Sequence, residues 1–284
     1  MAKSIFSFAF LVAIFGCGGG SSEDSITKQQ IKLNQAAVDE LAKVTDLAAI
    51  KQLLGNYLKN RQKIMAKFTA KIDSVPKEKG AIIEMRFRRD VRPSKEKLDE
   101  ALADFNKRVT QGKSYPQVLM ETSIGQVKIE LFEDMAPITV ENFLKYVDEK
   151  FYDGTTFHRV ISNFKIQGGG YEPGGKRKPN SHSPIENESY NGLMNDPGTL
   201  AMARTDNPDS ATSKFFINVS ENNGFLNKIE ALDGYGYAVL GRVVDGWNVV
   251  AKIKDVQTTT RDGKKDVPVE DVLIKSIRRV EKKK

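Results

Sequence analysis

The chain has almost no cysteine or histidine to work with. Its 284 residues contain one cysteine (Cys17), two histidines (His158 and His182) and one tryptophan (Trp247). A single thiol closes no intramolecular disulfide. Two isolated histidines give neither a metal-ligand set nor an acid–base constellation. Apolar runs are short: Ile5–Phe15, broken by Ser7, falls below the ~20 residues that a bilayer-spanning helix needs. Phosphate cradles are missing too, because the glycine triplet Gly168–Gly170 follows a strand pattern and opens no helix. The net charge is +7, yet the 44 Lys/Arg are interspersed with 37 Asp/Glu and do not cluster with aromatics. Nucleic-acid binding is therefore not expected. What remains is a chain long enough for a real core, with chemistry that uses no thiolate, metal, cofactor or phosphate.

The N-terminus reads as an address. Lys3 precedes the apolar run, and Gly16-Cys17 follows it, the layout of a cleaved export signal over residues 1–16. Ile14-Phe15-Gly16-Cys17 resembles a bacterial lipobox, with a bulkier Phe15 than usual. That resemblance implies lipid on Cys17, a membrane anchor and an extracytoplasmic location. Residues 17–25, rich in Gly and Ser, form a flexible tether.

From residue 26 to 112 glycine almost disappears and Lys, Glu, Gln, Ala and Leu dominate. Apolar residues recur at helical spacing through Ile31, Val38 and Leu41, then Ile50, Leu54, Tyr57, Ile64 and Phe68. Three or four amphipathic helices are expected. Asp46 reads as an N-cap for the second run, and Pro76 and Pro93 as breaks, with Ser94 capping a last helix to about Arg108. Such stripes most simply pack against one another.

Near Pro116 the period changes to two. Val118–Glu121 and Val127–Leu131 predict a hairpin, Pro137–Glu149 and Trp247–Lys254 two helices, and the region around 269–280 a last strand. Close turn signals between short strands point to a closed antiparallel β-barrel with helices over its openings. Within residues 116–284 the stretch Phe157–Gly170 stands out. Arg159 and Gln167 are polar positions on two strands, separated by a Ser-Asn turn, whose neighbours call for burial. An arginine so placed can simply pack its stem and send its head to water.

The wider pattern gives these residues another meaning. Phe157-His158-Arg159-Val160-Ile161, Phe164 and Gln167-Gly168-Gly169 resemble the signature of the cyclophilin-type peptidyl-prolyl isomerases. Gly198–Arg204 with Ser210–Asn218, and then Gly236–Val243, resemble that family's later motifs, in its bacterial form. The resemblance runs from Val118 to Val280 and leaves residues 1–112 untouched. It implies an eight-stranded barrel capped by two helices, preceded here by an α-helical module. It also implies catalysis of X–Pro isomerisation on Pro-containing polypeptides. Arg159 matches the catalytic arginine; Phe164, Phe216 and Leu226 match the walls of a proline pocket. Gln167 matches the glutamine that holds substrate backbone. Ala203 and Arg204 match the pair whose main chain meets the peptide. Phe225 replaces a common tryptophan and Tyr237 a common histidine, so weak cyclosporin binding is expected. Lys165 is the departure, standing where methionine is usual on the pocket side. It keeps a rival reading open, in which the barrel binds proline segments as a chaperone or adhesion module with little turnover.

Overall fold

A computed structural model describes residues 23–281 except 45–46, 222, 229–230 and 232–233. Residues 1–22, with Cys17 and the lipobox, and the cap expected at Asp46 lie outside the described residues. None of the described helices is long and apolar enough to cross a membrane.

Three helices come first: α1 (Glu23–Leu41), α2 (Leu47–Asp73) and α3 (Lys77–Thr110). Their buried positions fall on single stripes, Ile26, Gln30, Asn34, Ala37 and Leu41 on α1, and Ile50, Leu54, Tyr57, Ile64 and Phe68 on α2. The first helix begins at Glu23, inside the stretch that reads as tether.

Pro93 does not end a helix. It lies inside α3, which runs on for 34 residues, and Ser94 is not an N-cap. The Ser94 hydroxyl instead donates to Val91 O (2.8 Å) and accepts from Asn34 Nδ2 (2.9 Å). Asn34 Oδ1 in turn accepts from Gln30 Nε2 and Tyr57 Oη at 2.7 and 2.9 Å. Proline removes one helical hydrogen bond. That loss is offset by α3 burying Ile83 and Phe87 before the proline and Leu98, Leu102 and Phe105 after it, each such side chain stabilising by roughly 1.5–3 kcal/mol.

Strands β1 (Gln117–Thr122), β2 (Gln126–Leu131), β3 (Thr155–Ile161), β4 (Lys165–Gly168), β5 (Thr199–Met202), β6 (Phe215–Asn218), β7 (Val239–Asp245) and β10 (Leu273–Arg279) close into an antiparallel barrel. Its order is β1-β10-β3-β4-β6-β5-β7-β2. Strands β8 (Thr258–Arg261) and β9 (Lys264–Pro268) form a separate hairpin. Helices α4 (Pro137–Asp148) and α5 (Trp247–Lys254) send Val140, Phe143, Val147, Val250 and Ile253 into the same core as the strands' inward residues.

Strand alternation decides what faces outward. On β6, Phe215 and Ile217 join the barrel core, whereas Phe216 points to a second cluster. That second cluster also contains Leu41, Ile50, Leu98 and Phe105 of the helices. The helices thus share an apolar core with the outer wall of the barrel, and only the far cluster of Ile26, Ile64, Phe68, Ile83 and Phe87 is packed among themselves. The contact is close at Gly192, where a Cβ would stand 2.9 Å from Ile50 Cγ1 and 3.0 Å from Phe105 Cε1.

Candidate active site

Strand register builds the site. Arg159 on β3 pairs with Gln167 on β4, Gln167 with Phe216 on β6, and Phe216 with Ala201 on β5. Paired residues on neighbouring strands project to the same face, so guanidinium, amide and aromatic ring stand in one row across the outer wall. The register slips between Phe157 and Arg159, and such irregularities re-aim a side chain. Behind the row, Gly169 has φ +78 and the Tyr152 and Phe215 rings lie 2.8 Å from where a Cβ would be, so the turn after β4 admits only glycine.

Arg159 is half exposed, and its Nε donates to Asp266 Oδ2 at 3.1 Å. Asp266 lies on β9 with φ +63. Gln167 Nε2 stands 3.5 Å from His158 Nε2. Burial, reinforced by Lys214, pushes the His158 pKa down to about 4, so this imidazole is neutral across the physiological range.

The apolar wall is assembled from loops. Phe164 sits in the β3–β4 turn, its N–H donating to Ile161 O at 3.0 Å, and its ring stacks on Phe225 at 5.3 Å. Leu226 is buried in a short 3-10 turn, Gly224–Leu226. Its carbonyl accepts from the Tyr237 N–H at 2.9 Å. Tyr237 meets Phe216 edge-on at 5.6 Å, and the Arg204 guanidinium lies 4.3 Å from the Tyr237 ring centre. The N–H of Ala203 already donates to Lys214 O at 2.9 Å, so this amide is not offered to a peptide.

Lys165 is only 6 % exposed. Its ammonium lies 4.2 Å from the Phe216 ring centre, 4.9 Å from Phe164 and 5.3 Å from Tyr237. Burial, then the charges of Arg159 and Arg204, bring its pKa down to about 8.

All ten barrel positions expected from the motifs therefore gather on one face, around the β3–β4–β6 row and the turns beside it. Two features were not expected. Asp266 is one, since nothing in the hairpin sequence ties it to Arg159. A chain of buried asparagines is the other: Asn195 N donates to Asn227 Oδ1 (2.7 Å), Asn218 Nδ2 to Asn195 Oδ1 (3.1 Å), and Asn223 Nδ2 to Phe164 O (2.8 Å). It fixes the turns that carry Phe164 and Leu226, and Asn is common enough in loops to hide such a role.

The fold and the site together make a closed antiparallel barrel whose outer wall carries an arginine, a glutamine and an aromatic slot side by side. The chain belongs to the cyclophilin type peptidyl-prolyl cis-trans isomerases, whose family model matches residues 117–279. It is 55% identical to peptidyl-prolyl cis-trans isomerase B of Escherichia coli strain K12 over 161 residues, which are 56% of this chain and 97% of the relative. A peptidyl-prolyl cis-trans isomerase of Acinetobacter baylyi is 53% identical, over 56% of this chain and 83% of its own length. Streptomyces antibioticus has a third, cyp18, also 53% identical, with 95% of its length covered. Among solved structures, a cyclophilin type isomerase of Cryptosporidium parvum is 26% identical, covering 60% of this chain and 100% of its own, with a TM-score of 0.49. The protein is a peptidyl-prolyl cis-trans isomerase. The three N-terminal helices lie outside the matched residues.

Proposed function

We propose that this isomerase acts on X–Pro bonds of extracytoplasmic protein clients and assists their folding, held to a bacterial membrane by lipid on Cys17. The observation that carries the site reading is the row Arg159–Gln167–Phe216 across paired strands. Trans is favoured only slightly in an X–Pro bond, yet the isomers are separated by about 18–20 kcal/mol of lost amide resonance. No bond breaks, so no nucleophile is needed. In the twisted amide the prolyl nitrogen is pyramidal and more basic, and the carbonyl dipole is freed. Arg159 supplies donors that favour that state over either planar one. Its Nε–H is taken by Asp266, which orients the planar fork and leaves the two Nη groups for the amide. Gln167 holds client backbone. Phe164, Phe216, Leu226 and Tyr237 clamp the proline ring while the preceding carbonyl swings, and Arg204 and Phe225 flank the peptide. Half-exposed Phe225 offers a face but no N–H donor, in keeping with weak cyclosporin binding.

The test is turnover of a proline tetrapeptide. Arg159→Ala is expected to lower kcat/KM by about 10²-fold, the scale of one lost electrostatic donor, with folding unchanged. Unaltered turnover removes Arg159 from the mechanism. The anchor is tested apart: Cys17→Ser should move the chain from the membrane to the soluble fraction, and retention through salt washing would refute it.

A further inference from the structure

Lys165 is a buried cation with no carboxylate partner among the described residues. Buried lysines are almost always paired with an opposite charge. Here the ammonium touches the faces of Phe164, Phe216 and Tyr237, and the charges that act on it, Arg159 and Arg204, are of its own sign. Asp266 is bonded to Arg159. Ring faces attract a cation through their quadrupole, which is what keeps Lys165 in place. They are also the faces against which, on the reading given above, a proline ring packs.

We propose that Lys165 makes this isomerase selective for client segments that carry a carboxylate next to the proline. The inference rests on the pocket reading proposed for Phe164, Phe216 and Tyr237. Ammonium and proline ring compete for one aromatic cage, so the client must displace the cation. The charges that act on the ammonium among the described residues are those of Arg159 on β3 and Arg204 in the segment after β5, both of its own sign. A neutral client therefore offers the displaced ammonium no opposite charge. An Asp or Glu beside the proline gives the ammonium a partner outside the cage. A basic residue there repels it. Among the described residues the groups beside the ammonium are thus Arg159 and Arg204, the Tyr237 ring and, through Arg159, Asp266. Because the Lys165 pKa sits near 8, it is mostly charged at neutral pH and loses its charge in mild alkali, so the competition weakens as pH rises.

The experiment measures kcat/KM of the full chain on tetrapeptides with Glu, Gln or Lys before the proline. Glu is expected to exceed Gln by about tenfold, the equivalent of one modest charge contact, and Lys to fall below both. Lys165→Met should raise turnover of the Gln peptide and bring the three values together. The unmutated chain supplies a second measure that needs no variant: its Glu-over-Gln preference should shrink between about pH 7 and pH 10, where the Glu carboxylate stays charged and Lys165 does not. Good turnover of all three peptides with the same ratios in both proteins and at both pH values overturns the inference and leaves the isomerase site standing. If none of the three is turned over, the pocket reading itself falls, and the inference with it.

Discussion

Arg159 and Asp266 lie 107 residues apart in the chain and 3.1 Å apart in space. The pair is partly exposed on both sides, and exposed ion pairs contribute only about 0–1 kcal/mol. Its value is orientation, since a guanidinium bonded through Nε cannot rotate away from Gln167. Asp266→Asn is expected to lower kcat several-fold with little change in KM and no more than ~1 kcal/mol in stability. Asp266→Glu should restore part of the rate. A change confined to KM would mean that Asp266 binds client rather than aligning Arg159.

His158 sets a pH dependence of stability. Its folded pKa of about 4 lies below the ordinary 6.5, so the unfolded chain takes up the proton first. Stability therefore falls as pH drops from about 6.5 towards 4 and is unaffected by this group above that window. His158→Gln should flatten the acid limb of a Tm-against-pH curve. Turnover of a neutral peptide should show no histidine-like inflection over the same range; finding one would put His158 in the chemistry.

The shared core predicts how the chain melts. Phe105 is fully buried in the cluster that also holds Phe216 and Leu226. Helices and barrel should unfold in one cooperative transition. Phe105→Ala should cost about 3–5 kcal/mol and separate the helical signal from the near-ultraviolet signal of the barrel. Two transitions in the unmutated protein would show that the helices hold themselves up alone.

Gly192 gives a milder probe of the same contact. Its φ of +78 and its approach to Ile50 and Phe105 leave no room for a methyl group. Gly192→Ala is expected to lower Tm, and also to slow tetrapeptide turnover. The reason is that Leu193 and Met194 belong to the apolar cluster of the pocket walls, and Asn195 binds the Leu226 turn through Asn227. Loss of stability with unchanged turnover would confine the helices to a structural part.

Much of the barrel was legible in the sequence because its information is local. Period-two runs mark β1 and β2, the apolar spacing from Pro137 marks α4, and Trp247–Lys254 is α5 to the residue. The Ser-Asn turn and glycine triplet around Phe157–Gly170 place Arg159 and Gln167 on adjoining strands, and one register then carries the row to Phe216. Helical stripes likewise announced α1 and α2. Local rules failed at Pro93, since a proline in isolation reads as a stop. Only the packing of α3 on both sides of it, and the Asn34–Ser94 bond, decide that the helix continues. Tertiary structure alone brought Asp266 to Arg159, joined the helices to the outer wall through Ile50 and Phe105, and put the Lys165 ammonium inside a ring of three aromatics. Those relationships depend on closing a barrel and docking a helix bundle, and long-range contacts of that kind leave no periodic trace in the residues that make them.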